Sequence, residues 1–190
     1  YISIEHRQQI LRSGAYCPLA EAAKVSVHPR QRGFVQGRSF IDNVLEVEGF
    51  GHSYPIAAAD NPPIILFEIM AAFPSLSHQW LFAVLRKMKV PLRVINALKA
   101  LYKNGHATIN LGGKLWRRFA IRSGIRQGCP ASGTLFALAI DPCLRYLISK
   151  IGPERGIINA YADFIAAVIR DLFDSLKILD DCFKTIGRAS

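Results

Sequence analysis

The sequence predicts an α+β domain: a helix-rich start, then runs in the order β-α-α-β-β-α-β-β-α that fold as a small, largely antiparallel sheet packed by helices. Three observations carry this prediction. Hydrophobic residues make up 51% of the 190 residues and charged residues 20%. Such a chain buries enough apolar surface to offset its ordering entropy, which excludes an intrinsically disordered protein. The length suits one domain, or one domain cut from something larger. Two pairs of short apolar runs are split by tight-turn signals, Gly112-Gly113 and Asp163-Phe164, the mark of antiparallel hairpins.

Each element has its own signal. Short helices are predicted near Leu19–Val27 and Ser39–Glu48. Pro62-Pro63 leads into Ile64-Ile65-Leu66-Phe67, an uninterrupted apolar run that reads as a buried strand. Ser77 caps a helix running to about Met88, with Leu81, Val84, Leu85 and Met88 on one face. Pro91 suits the first turn of the next helix and Gly105 its stop. Ala107–Leu111 and Lys114–Ile121 form a hairpin across Gly112-Gly113, and Gly124–Pro130 is a loop. Ser132 starts a long apolar helix, bent at Pro142. Ile157–Ala162 and Ile165–Arg170 are strands joined by a turn at Asp163-Phe164. A last helix carries Leu172, Leu176, Leu179 and Phe183 on one stripe and ends near Gly187.

The charge is local. The net charge is +10, yet residues 1–63 hold six basic and six acidic groups and residues 131–190 hold seven of each. Residues 64–130 hold eleven basic groups and one acid, Glu68. A basic block interleaved with Tyr102, Trp116 and Phe119 suits phosphate contacts with base or sugar stacking. A solvated face that docks an acidic protein partner fits it equally well. The four cysteines (Cys17, Cys129, Cys143, Cys182) form no CxxC pair and the five histidines no metal-ligand spacing. They read as reduced core residues, hence an intracellular, reducing compartment, an organelle included, with no address encoded. The uncharged stretch Ile69–Leu85 is interrupted by Pro74, Ser75, Ser77, His78 and Gln79, so no transmembrane segment is predicted.

Four segments carry the chemistry. They are Gln31-Arg32-Gly33-Phe34-Val35-Gln36-Gly37-Arg38-Ser39 followed by Asp42-Asn43-Val44; Ile65 to Ser75, containing Glu68 and Phe73; Ser123-Gly124-Ile125-Arg126-Gln127-Gly128-Cys129-Pro130-Ala131-Ser132; and Tyr161-Ala162-Asp163-Phe164. In this order and at this spacing the chain resembles the reverse transcriptase domain of non-LTR retroelements, over roughly residues 16–187. The resemblance implies a right-hand polymerase fingers–palm fold as one continuous domain; the family carries a thumb after the palm, and it is expected to be absent from this sequence. Residues 1–60 would be the fingers-like part and residues 61–190 the palm-like part, with a finger-type hairpin at 107–121.

It also implies RNA-directed DNA polymerase chemistry on two divalent metals, held by an Asp ending the first palm strand and an Asp pair in the turn of the later hairpin. Two of these three positions depart. Glu68 keeps the charge but moves the carboxylate out by one methylene, and Phe164 ligates nothing; only Asp163 matches. Glu68 and Asp163 are therefore the candidate catalytic and metal residues of a degenerate site. No cofactor is expected apart from Mg²⁺ should polymerase activity remain. Phe73 matches the aromatic under the nucleotide sugar, a steric gate against the 2′-OH, though a core Phe is the simpler reading. Gln127 and Gly128 match a segment that contacts nucleotide or template, or form a tight loop. Arg126 reaches a phosphate or lies solvated; Arg38 faces the nucleotide or only starts a helix. Lys114, Arg117, Arg118 and Arg122 are candidates for nucleic-acid contact. A Phe at the tip of a charged turn is favourable only under an apolar cover, either a collapsed cleft or a partner chain.

The expected function is a retroelement-derived reverse-transcriptase-like domain, catalytically impaired, acting as a structural or RNA-binding subunit of a larger protein or ribonucleoprotein assembly. The alternatives are an active RNA-directed DNA polymerase fragment using two divalent metals, with RNA or DNA as partner, and a protein-interaction subunit docking an acidic partner.

Overall fold

The apolar runs assemble around one long helix. A computed structural model describes residues 16–52 and 62–189. Parts of the predicted fingers-like region, residues 1–15 and 53–60, lie outside the described residues. In chain order the elements are α1 (Tyr16–Ser26), α2 (Phe40–His52), β1 (Ile64–Glu68), α3 (Ala72–Ser75), α4 (His78–Lys87) and α5 (Leu92–Tyr102). They continue with β2 (His106–Ala107), β3 (Asn110–Leu111), β4 (Lys114–Leu115), β5 (Phe119–Ala120), α6 (Ser132–Arg155), β6 (Gly156–Tyr161), β7 (Phe164–Ile169) and α7 (Leu172–Ala189).

The first half of α6 is apolar on all sides, so it is buried on all sides. Leu135, Phe136, Ala137, Leu138 and Ala139 form the centre of one core with Leu19, Ala23 and Val27 of α1, Leu81 and Leu85 of α4, and Ile95 and Leu98 of α5. The second half carries Leu144, Leu147 and Ile151 into another core. There they meet Ile158, Ala160, Ile165, Ala167 and Ile169 of the sheet and Leu179 and Cys182 of α7. Each fully buried Leu or Ile contributes roughly 1.5–3 kcal/mol, and α6 carries such residues into both cores. Cys129, Cys143 and Cys182 are buried with free thiols, and burial pushes Cys143 up to about 11.

The main sheet is antiparallel in the order β1-β7-β6. Residues 30–32 extend it in parallel beside β6, through Arg32 N–H to Ala160 O (3.0 Å) and Ala160 N–H to Arg30 O (2.8 Å). The separate hairpin pairs β2 with β5 and β3 with β4, turning at Gly112-Gly113, both at positive φ. A two-residue turn with φ > 0 at both positions matches strand twist, which favours Gly there.

Four expectations are corrected. β1 is not a buried strand. It is an edge strand whose Ile64 and Leu66 are 55% and 75% exposed on the face away from the α7 core. α6 stays helical through Pro142; its non-helical residue is Gly152, at φ 67°. Pro153 disfavours the helical region for the residue before it, and glycine tolerates the alternative. The β6–β7 turn is Ala162-Asp163 and not Asp163-Phe164, with Ala162 at φ 57° and Phe164 the first residue of β7. The inward stripe of α7 runs through Ser175, Leu179 and Cys182, which leaves Leu176 41% exposed. α1, α2, α4 and α5 agree with expectation within a few residues, while no helix is expected at the short α3. Ser77 accepts from Trp80 N–H as the cap of α4, and Pro91 caps α5. No helix of the described residues is long and apolar enough to cross a membrane.

Candidate active-site cleft

The chemistry-bearing segments converge at one end of the main sheet. Glu68 ends β1, and its register partner is Phe164 at the start of β7. The Ile69 N–H donates to Asp163 O at 3.1 Å, so the end of β1 is tied to the β6–β7 turn. Glu68 is exposed, Asp163 half-buried, and Phe164 54% exposed. The cleft has therefore not collapsed over Phe164 among the described residues. Tyr161, at the end of β6, meets Phe40 of α2 edge-on, ring centroids 5.2 Å apart.

A side chain from far away in sequence fixes this turn. Gln31 is fully buried. Its Nε2–H donates to Ala162 O at 3.0 Å, and its Oε1 accepts from Ala162 N–H at 2.9 Å and Gly33 N–H at 2.8 Å. All the polar groups of the left-handed Ala162 are thus met by one amide. Gly33 lets the chain come this close: a Cβ there would lie 2.0 Å from Ala162 N. Asn43 Nδ2–H donates to Ala160 O at 2.9 Å, and Arg32 bonds both Asn43 and Glu46, fixing α2 over the same strand. The Arg32 hydrogen bonds hold the Glu46 carboxyl below the usual carboxylate range. Gln31 and Gly33 lie within the motif the sequence singles out, but neither stood out there as a site residue. Their role depends on a strand about 130 residues later, which local pattern does not encode.

Beside the turn lies a cavity of about 480 Å³, lined by Phe34, Phe73, Gln127, Gly128, Ser132 and Gly133 among others. Phe73 stacks on Phe136 (4.7 Å between centroids) and takes the edge of Phe34 (5.6 Å). A Cβ on Gly133 would lie 2.5 Å from the Phe34 ring, so this glycine lets the ring reach the first turn of α6. The loop before α6 is pinned around Phe73. Ile125 N–H donates to Phe73 O and Gly124 N–H to Leu76 O, both at 2.8 Å, and His78 Nε2–H donates to Gly124 O at 2.8 Å. Backbone and rings thus form a rigid concave wall with an exposed amide, Gln127, at its edge.

Not every candidate joins this site. Phe73, Gln127 and Gly128 line the cavity, and the Ile69 N–H to Asp163 O bond holds the segments carrying Glu68 and Asp163 at the same sheet end. Arg126, half-buried, offers its carbonyl to the Ser132 hydroxyl. Arg38 points elsewhere. Its Nη1 donates to His28 O and Gln31 O, both at 2.7 Å, and its Nη2 to Lys24 O and Val27 O, both at 2.9 Å. It closes the carbonyl end of α1. Lys114, Arg117, Arg118 and Arg122 are all exposed, on the hairpin and just after it.

A helix-backed antiparallel sheet with Asp163 in a hairpin turn and Glu68 ending the adjacent strand, together with an aromatic-walled cavity, is the arrangement of a polymerase-type palm. Comparison makes the class specific. The family described as reverse transcriptase (RNA-dependent DNA polymerase) matches residues 13–190, and the chain belongs to that family. It is 29% identical to a Xenopus laevis transposon TX1 uncharacterized 149 kDa protein, over 86% of this chain and 13% of that protein. It is 32% identical to the Drosophila melanogaster retrovirus-related Pol polyprotein from type-2 retrotransposable element R2DM, over 74% of this chain and 13% of that protein. The chain thus spans about an eighth of the length of these two relatives. These similarities make it a reverse transcriptase domain of the non-LTR kind. The fold is similar to that of apo telomerase from Candida Tropicalis truncated from its C-terminal domain, with a TM-score of 0.68 at 12% identity, over 93% of this chain and 38% of that one. The fold is accordingly an α+β fingers–palm type.

Proposed function

We propose that this chain is a retroelement-derived reverse-transcriptase-like domain with impaired catalysis, serving as a structural or RNA-binding component of a larger assembly. The observation that carries the reading is the pairing of Phe164 with Glu68 at the sheet end. Members of this family use divalent metals such as Mg²⁺, and two-metal catalysis needs oxygen ligands placed strictly on both ions. Glu68 and Asp163 supply two carboxylates, and Phe164 supplies a phenyl ring. Among the described residues no three His, Cys, Asp or Glu side chains converge on one point. Two carboxylates and a phenyl ring do not fit a two-metal centre.

The nucleotide side differs. The cavity walled by Phe34 and Phe73, with Gln127 and Gly128 at its edge, supports a nucleotide or template site with Arg126 next to it in sequence. Arg38, held on α1, takes no part in it. Residues 1–60 and the hairpin at 107–121 act as fingers and the rest of 61–190 as palm. Lys114, Arg117, Arg118 and Arg122 bind phosphates.

The test is RNA binding at several salt concentrations. Each phosphate contact on a single strand contributes a slope of about −0.7 in log K against log salt, so four cations predict about −3. A flat response, or none, would favour the reading in which the same cations dock an acidic protein.

A further inference from the structure

We propose that one face of the β2–β5 hairpin is a stacking platform for the unpaired bases of single-stranded nucleic acid. This rests on the RNA-binding reading above and adds which groups meet the bases. The register builds the face. Asn110 pairs with Leu115 and Leu111 with Lys114, while Ala107 pairs with Phe119. Between these pairs, residues 108 and 109 lie opposite residues 116–118, so one strand carries an extra residue. Such a bulge shifts the alternation of faces by one. Without it Phe119 would point away from Trp116; with it Phe119 returns to the face of Trp116 and Lys114. Ile109 and Leu111 follow on the partner strand, with Trp116 N–H donating to Ile109 O at 2.8 Å.

The face is open. Ile109, Leu111, Trp116 and Phe119 are 55%, 68%, 54% and 50% exposed. The Lys114 ammonium lies 5.4 Å from the centre of the Trp116 ring. Arg117 and Arg118 lie between β4 and β5 and Arg122 just after β5, and no acidic residue lies between Glu68 and Asp141. Charge complementarity therefore asks for an anionic occupant. The rings decide which kind. An acidic protein surface would use the cations but not the aromatic faces. Nucleic acid uses both, phosphates on the cations and bases on the rings. A duplex keeps its bases stacked inside, out of reach of Trp116 and Phe119, so the platform selects a single strand.

The test titrates the whole chain against an oligouridylate and against an RNA duplex of the same length, by anisotropy at several salt concentrations. Tryptophan emission is followed in parallel. Trp116 is one of two tryptophans, and the other, Trp80, donates its Nε1–H to Ala139 O at 2.9 Å. The expected result is tighter binding of the single strand, quenched emission, and loss of about tenfold in single-strand affinity for Trp116→Ala and for Phe119→Ala. Their salt slope and duplex affinity stay unchanged, Trp116→Phe recovers most of the loss, and thermal melts confirm folding. Full single-strand affinity in both alanine variants, with a steep salt slope retained, overturns the platform and leaves RNA binding standing. No RNA binding by the wild type, with polyglutamate bound instead, overturns both.

Discussion

Phe164 stands directly across the sheet from Glu68, one residue from Asp163, with its ring 54% exposed. In the proposed reading, an apolar ring occupies the spot where a third carboxylate would complete an acidic cluster. Because the ring is half in solvent, replacing it costs little stability, less than about 1 kcal/mol for Phe164→Asp. We expect the double variant Glu68→Asp, Phe164→Asp to gain Tm in millimolar Mg²⁺ while the wild type does not, since an ion that binds only the folded state stabilises it. Differential scanning fluorimetry with and without Mg²⁺ measures this.

The Gly33–Ala162 contact leaves no room for a methyl group. Gly33→Ala places a Cβ 2.0 Å from Ala162 N. The backbone must move, at a cost of about 3 kcal/mol or more. Urea denaturation should show this loss, and a change below 1 kcal/mol would mean that the turn sits further from Gly33.

Arg38 is the candidate whose position departs most from a nucleotide-facing role. Its four bonds go to carbonyls of the segment 24–31. Arg38→Ala leaves those acceptors unmet and should cost about 2–4 kcal/mol. Nucleotide affinity of the folded fraction, measured by calorimetry, should stay unchanged.

His28 gives the chain an acid-side sensitivity. Burial lowers its pKa, helped by Arg145, Arg30 and Arg38 and opposed by Asp141. The unfolded chain then takes up the proton first as pH falls, so stability declines below about pH 6.5. The site is otherwise well bonded: Asp141 Oδ1 accepts His28 N–H and its Oδ2 accepts Arg145 Nε–H, both at 2.6 Å. Melts between pH 7.5 and about pH 5 should show a decline that is shallower in His28→Gln.

Much of the fold was legible because it follows from local pattern. The all-round apolar stretch after Ser132 could only be a buried helix, and Gly112-Gly113 between strands could only be a hairpin turn. The errors arose where distant contacts decide. Four apolar residues at Ile64–Phe67 read as buried, but nothing among the described residues covers the Ile64 and Leu66 side of the edge strand. The turn moved by one residue because Gln31 caps Ala162. Motif spacing singled out Glu68, Asp163 and Phe73, and the fold places Glu68 at the end of β1, Asp163 in the β6–β7 turn and Phe73 on the cavity wall. The clamp by Gln31 and Gly33, and the commitment of Arg38 to α1, arise only when segments far apart in sequence meet.

Impaired catalysis is read out by primer extension on an RNA template in Mg²⁺ and in Mn²⁺. The folded wild-type chain should extend no more than Asp163→Ala does. Robust extension by the wild type that disappears in Asp163→Ala would contradict it.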